Sequence, residues 1–294
     1  MRTMFFFLIL VGLMAGSSAK AQEPPADKPA TPPAAAVTTP PALTQEQVVA
    51  EIKKCGGTVQ REGNSLDGAV VRVAFYGTSS EAVTDAGLEH LKGLDKLQWL
   101  ILSDAKVTDA GLRHLEGLPQ LQKLFLSDTK VTDAGLAHLK GLSHLQTLDL
   151  TGTKVTDAGL EHLKGLNQLQ WLKLYSTSVT DVGLEHLKGM TQLQTLDLRS
   201  TNVTDVGLEH LRELKQLQSL DLTGTKVTDA GIEKLKGLDH LQSLALTRTV
   251  VTDAGLERLK GVHQLQYLSV ASTKVTAQGV KTLQEALPNC KIKR

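Results

Sequence analysis

The chain has 294 residues with 32 basic and 31 acidic side chains, a formal net charge of +1, and only 3% of its residues are aromatic. The length gives ample core for one or two domains. The even charge balance argues against nucleic acid as a partner, which calls for a basic stripe.

Residues 1–21 read as a secretory signal peptide. Arg2 precedes an apolar run from Met4 to about Gly16, and Ala19-Lys20-Ala21 supplies an A-x-A cleavage site before Gln22. The run has 13 residues, whereas a spanning helix needs about 20, so cleavage is expected and an uncleaved anchor is the alternative. The mature protein is therefore expected to be exported, periplasmic or extracellular, with no stable membrane span. Residues 22–43 form a Pro/Ala-rich linker, in which "EPPADKPATPPAAAVTTPP" carries seven of the nine prolines and has almost nothing to bury.

Residues 44–82 are expected to cap the fold with a helix and a hairpin. Thr44 and Gln47 form a capping-box pattern, Val48, Ile52 and Cys55 share one stripe, and Gly56 follows the helix end. A hairpin follows, its second strand Val73-Ala74-Phe75 starting the sheet. From Val83 the sequence repeats every 24 residues, with Val-Thr-Asp at 83, 107, 131, 155, 179, 203, 227 and 251. Eight units of the form VTDxGLxxLxxLxxLQxLxLxxTx fill residues 83–274, and residues 275–294 hold a partial ninth repeat and cap.

That period with L-x-x-L-x-L predicts one strand and one helical segment per turn of a leucine-rich-repeat solenoid. In "LQWLKLYS" the leucines alternate with other residues as in a strand, and Leu184, Leu187 and Met190 lie three apart on a helical stripe. Thr or Asp before that stripe supplies an N-cap oxygen. The Gly two residues after Asp serves close packing, with a positive φ as the alternative. Thr129, Thr153, Thr177, Thr201, Thr225, Thr249 and Thr273 form a column whose hydroxyls are expected to bond the next coil. Strands about 4.8 Å apart stacked on helices that need 8–10 Å force curvature, with the parallel sheet on the concave face. Cys55 and Cys290 fall at core-type positions at opposite ends, roughly 43 Å apart, and cannot pair within one molecule.

The T-D-x-G-L opening and the 24-residue period resemble secreted bacterial leucine-rich-repeat proteins. They are also similar to the cysteine-containing repeats of F-box adaptors, with Thr where those often carry Cys. The resemblance implies protein recognition; with an export signal and no F-box-like segment, the adaptor role in ubiquitin transfer does not carry over.

The outward strand positions vary while the flanking columns hardly change. Tyr76, Trp99, Trp171, Tyr175, Tyr267 and Phe125 all lie there, and aromatics dominate interface energetics. Trp99, Ile101, Lys123, Phe125, Trp171, Lys173 and Tyr175 on four neighbouring strands make a candidate patch of a few hundred Å² for a protein or peptide ligand. Asp149, Asp197, Arg199 and Asp221 continue it as a polar surface. A structural spacer without a dedicated ligand, or a module that binds glycan or cell-wall polymer, is the alternative reading.

His90, His114, His138, His162, His186 and His210 form a second column. Lys234 and Arg258 continue it, so it does not require a metal ligand, and a half-exposed helix position is the plainer reading. Pairs such as Glu89/Lys92, Glu161/Lys164 and Glu257/Lys260 are solubilising ion pairs. No catalytic constellation stands out from the copied Asp and His residues, so a non-enzymatic monomer without cofactor or metal is expected.

Overall fold

The computed structural model describes residues 43–75 and 83–294. The predicted signal peptide, nearly all of the linker, and Tyr76 lie outside these residues.

Helix Gln45–Lys54 opens the described chain with a complete capping box: Thr44 Oγ1 accepts from the Gln47 amide, and Gln47 Oε1 accepts from the Thr44 amide. It buries Val48, Val49 and Ile52 and ends at Cys55, with Gly56 beyond it at φ 75°. The hairpin consists of β1 (Thr58–Arg61) and β2 (Val70–Ala74), antiparallel with a register shift at Gln60/Arg61. The second strand begins three residues earlier than the sequence suggests and stops before Phe75. That side chain turns into the core at 4% exposure while its amide still donates to the Ile101 carbonyl.

Nine short strands follow, one per coil: β3 (Trp99–Ile101), β4 (Lys123–Phe125), β5 (Thr147–Asp149), β6 (Trp171–Lys173), β7 (Thr195–Asp197), β8 (Ser219–Asp221), β9 (Ser243–Ala245), β10 (Tyr267–Ser269) and β11 (Lys291–Lys293). All are parallel from β2 onward, and the strands join in chain order. β11 starts one residue later than expected, leaving Cys290 as the buried residue that leads into it. The register is 24 residues with no slip, so Trp99, Lys123, Thr147 and Trp171 stand side by side in one row. Ile101, Phe125, Asp149 and Lys173 form the next row.

Between β2 and β10 run helices of four to seven residues, such as Asp181–Glu185 and Asp253–Leu259, and a ten-residue helix, Ala277–Ala286, precedes β11. They are too short to be stable alone. Their leucines, those of the strands and the Val column pack as one continuous core, most of it fully buried. The sheet therefore lines the concave side of the solenoid, with the short helices on the convex side.

The T-D-x-G signature is one device that spans two coils. From Thr108 onward each N-cap Thr donates its hydroxyl and its amide to the Asp of the preceding coil: Thr180 reaches Asp157 at 2.7 Å twice, and Thr204 reaches Asp181 at 2.6 and 2.8 Å. The same contact recurs from Asp85–Thr108 to Asp253–Thr276. Thr180 Oγ1 also accepts from the Val182 amide, so one hydroxyl caps its own helix and ties it to its neighbour. The glycine makes room for this: a Cβ on Gly183 would sit 2.4 Å from Asp157 Oδ1.

The other Thr column behaves differently from expectation. Thr129, Thr177 and Thr225 are buried, but each donates to the carbonyl three residues back in its own coil, Leu126, Leu174 and Leu222, at 2.7 Å. Their short side chains meet this nearby carbonyl first, and the threonine hydroxyls that bond between coils are those of the Asp–Thr rungs instead. Cys55 is also a correction: it is only half-buried, whereas Cys290 is buried; both are free thiols at opposite ends of the sheet.

Candidate functional site

Strand alternation fixes which side chains face outward. In β6, Leu172 is fully buried while Trp171 is 48% exposed, and beyond the strand Leu174 is fully buried while Tyr175 is 37% exposed. Trp171 stands out because its row neighbours are Thr147 and Thr195, both too short to cover an indole. Trp99 is only half-buried for the opposite reason. Lys123 lies over its ring with Nζ 4.0 Å from the centroid, and the Arg72 guanidinium lies 5.2 Å from the same centroid. Ile101 and Phe125, neighbours in the second row, are half-buried.

The small Thr147 between Lys123 and Trp171 leaves a depression of about 250 Å³. Lys123, Phe125, Trp171 and Lys173 form its walls, with Gln146 and Gln170 at one end. The register thus brings together the four-strand set expected from sequence. Thr147, Gln146, Gln170 and Arg72 join this set, and none of them stands out in the sequence as a large apolar side chain does. The signal for Thr147 was its size, visible only once the row is written out; Arg72 was hidden by the misplaced start of β2.

The polar continuation is wired internally. Asp149, 7% exposed, accepts from the Thr151 amide at 3.0 Å and pairs with Lys173 at 3.3 Å. Asp197 holds Arg199 through Nε and Nη2 at 2.9 and 2.6 Å and accepts from its amide at 3.0 Å. Asp221 lies 3.6 Å from Arg199 Nε and accepts from the Thr223 amide. The hydrogen bonds that Arg199 donates to Asp197 raise its pKa above the ordinary value, against the opposing effect of burial. Arg199 also stacks on Tyr175 at 4.6 Å. Tyr267, on β10, lies four strands from Trp171, outside this cluster.

On the convex side one member of the histidine column, His138, does what its Lys and Arg members do, while the Nδ1 atoms of His162, His186 and His210 are buried without a hydrogen-bond partner. His138 meets Glu116 of the preceding coil at 2.6 Å, as Lys234 meets Glu209 at 2.7 Å and Arg258 meets Glu233 at 3.0 Å. Burial, helped by Arg113 and Lys92, lowers the pKa of His114. The Glu/Lys pairs Glu89/Lys92, Glu161/Lys164 and Glu257/Lys260 are formed, at 3.3, 3.8 and 2.6 Å. Among the described residues no cluster of three His, Cys, Asp or Glu is placed to hold a metal ion. No helix among them is long and apolar enough to cross a membrane.

A curved stack of 24-residue coils with variable residues on its sheet face defines a leucine-rich-repeat scaffold. Residues 133–293, more than half of the chain, match the family described as leucine-rich repeat region, and the chain belongs to it. Among solved structures it is similar to internalin C2 of Listeria monocytogenes, with 26% identity over 76% of this chain and 92% of that one, at a TM-score of 0.58. It is similar in fold to a leucine-rich-repeat protein of Leptospira interrogans, with 18% identity over 71% of this chain and 57% of that one, at a TM-score of 0.55. No curated protein matches the chain.

Proposed function

We propose that the protein is an exported, non-enzymatic binding module that takes a protein or peptide on the concave face of its solenoid, through Trp99, Ile101, Lys123, Phe125, Trp171, Lys173 and Tyr175. The observation that carries this reading is the contrast within single strands. Leucines one residue away are fully buried, while Trp171 and Tyr175 stay exposed on the same sheet. Holding large aromatics in water on a rigid surface is costly unless something covers them. Leucine-rich-repeat scaffolds are generally binding modules, and the extended inner surface is where solenoids bind.

Glycan binding is the weaker reading, because Asp149, Asp197 and Asp221 already accept from backbone amides and from Lys173 or Arg199. Asp149 and Asp197 are besides only 7% exposed, which limits what they can offer to sugar hydroxyls. A spacer without a ligand has no use for the exposed aromatics.

The test is retention of envelope proteins from the exporting cell on immobilised wild type and on a Trp99→Ala/Trp171→Ala variant. Species held by the wild type and lost by the variant are expected. Identical sets on both would refute the face as the binding surface. Export is tested separately: the amino terminus of the protein in its native host should begin at or near Gln22.

A further inference from the structure

The charges on the binding face are unevenly satisfied. Lys173 is offset by Asp149 at 3.3 Å, and Arg199 is shared between Asp197 and Asp221. Lys123 differs. Its ammonium rests on the Trp99 ring, 4.0 Å from the centroid, and forms no ion pair with any carboxylate among the described residues. A ring quadrupole attracts a cation but does not neutralise it. Asp197 and Asp221 share the single Arg199, so the negative excess of the face lies on β7 and β8, three and four strands from Lys123.

Lys123 is also a wall of the depression over Thr147, whose opposite wall is Trp171. The two sit two strand intervals apart, about 10 Å. Side chains at i and i+2 of an extended peptide project from one side about 7 Å apart. Side chains that splay outward, and the long flexible Lys123 stem, cover the difference between these spacings, so a carboxylate at one position can meet the Lys123 ammonium while an apolar group at the other lies on Trp171 and Phe125.

We propose that the ligand is an extended acidic peptide that places an Asp or Glu carboxylate on Lys123 and, two residues away, an aromatic or large aliphatic side chain on Trp171 over Thr147. This rests on the reading of the sheet face as the binding surface and adds the chemistry of its ligand. Complementary charge of this kind sets specificity and register more than raw affinity, and reversing it is strongly unfavourable.

The probe is a random linear dodecapeptide library selected on the immobilised full chain. Peptides recovered are then synthesised with a fluorophore and titrated against wild type, Lys123→Gln, Lys123→Glu and Trp171→Ala by anisotropy. Thermal melts check that each variant remains folded; both positions are on the outward rows of the sheet. The expected result is recovered sequences with Asp or Glu two residues from an aromatic or large aliphatic residue. Their binding should weaken about tenfold or more in Lys123→Glu and less in Lys123→Gln. The Lys123→Glu variant should in turn prefer the same peptide with its acid replaced by Lys. Peptides without acidic enrichment that lose binding in Trp171→Ala but bind Lys123→Glu as well as wild type would overturn the acidic ligand and leave the face as the binding surface. No enrichment, or binding indifferent to both positions, would overturn both.

Discussion

Replacing Gly183 by alanine tests the device that holds the coils together. In an ordinary helix this change is favourable by roughly 0.5–1 kcal/mol, because glycine loses more backbone freedom on folding. Here the new Cβ would lie 2.4 Å from Asp157 Oδ1, 3.1 Å from Leu160 Cδ1 and 3.2 Å from Asp157 Cα. The carboxylate must move by close to 1 Å, which breaks or stretches both 2.7 Å bonds from Thr180. Hydrogen bonds to charged groups contribute about 1.5–3 kcal/mol each and overpacking costs about 1–3 kcal/mol. If one bond's worth is lost and the methyl is accommodated at the low end of the overpacking range, the net loss after the helical gain is about 2–3 kcal/mol.

Asp157→Ala alone should cost a similar amount, because it removes both acceptors. The pair should cost less than the sum by about 1–2 kcal/mol, since the oxygen that the new methyl meets is gone. Gly189→Ala is the control, with open space around its Cβ; it should change stability by less than about 0.5 kcal/mol. Guanidinium denaturation of the four variants and wild type, with slopes compared as well as midpoints, gives the cycle. If Gly183→Ala is tolerated as well as Gly189→Ala, or the two losses simply add, the rung is not what spaces the coils.

Three further outcomes are expected. Trp171→Ala should change stability by less than about 0.5 kcal/mol, and Tyr175→Ala by up to about 1 for the lost Arg199 stacking. Leu172→Ala or Leu174→Ala should each cost about 2–5 kcal/mol, and equal losses in thermal melts of the two pairs would mean the faces are assigned wrongly. In the native protein a thiol reagent should titrate half-buried Cys55 but reach Cys290, buried and with its thiol pKa raised by burial, only after unfolding. Rapid reaction of both would contradict the burial at the C-terminal cap. The Glu209 carboxyl, held by Lys234 and then Arg212, is lowered to about 2. A depressed carboxyl stabilises the fold above its unfolded pKa, and the contribution is lost as pH falls from about 4.5 through about 2. Carboxyl NMR should show this midpoint, and in Lys234→Met it should rise toward the usual carboxylate range; no rise would deny the pairing between coils.

Much of this was legible in the sequence because the chain carries its own comparison. Copies in a fixed register separate the columns that every coil needs from the positions that vary, so the Leu and Val columns and the outward rows could be assigned before any coordinates. Contacts between coils were less legible. Asp157 reads locally as a favourable charge at a helix start, and only the stack shows that its carboxylate accepts from Thr180, 23 residues on. The Thr129 column shows the opposite error. A buried polar column suggested a ladder between coils, but a hydroxyl on so short a side chain meets the Leu126 carbonyl of its own coil first. At the amino-terminal end, where no copies exist, the bounds of β2 and the burial of Cys55 were both misjudged.

The same regularity explains how a site can arise here without a cleft in the fold. Every coil is joined to the next by the same Asp–Thr rung and the same leucine packing, none of which involves the outward rows. The side chains of those rows can therefore change with little effect on the scaffold. The depression over Thr147 follows from a row that reads Trp, Lys, Thr, Trp, in which one short side chain stands between long ones. Its charge follows in the same way, because the carboxylate beside it, on Asp149, is bound to Lys173 and so leaves Lys123 unneutralised. Shape and charge at this surface are thus properties of a few neighbouring letters, 24 apart in the sequence and about 5 Å apart in space. That separation of scaffold from surface allows Lys123 and Trp171 to be changed with stability as an independent check, and it is why the charge-reversal experiment can tell a specific ligand from a merely exposed face.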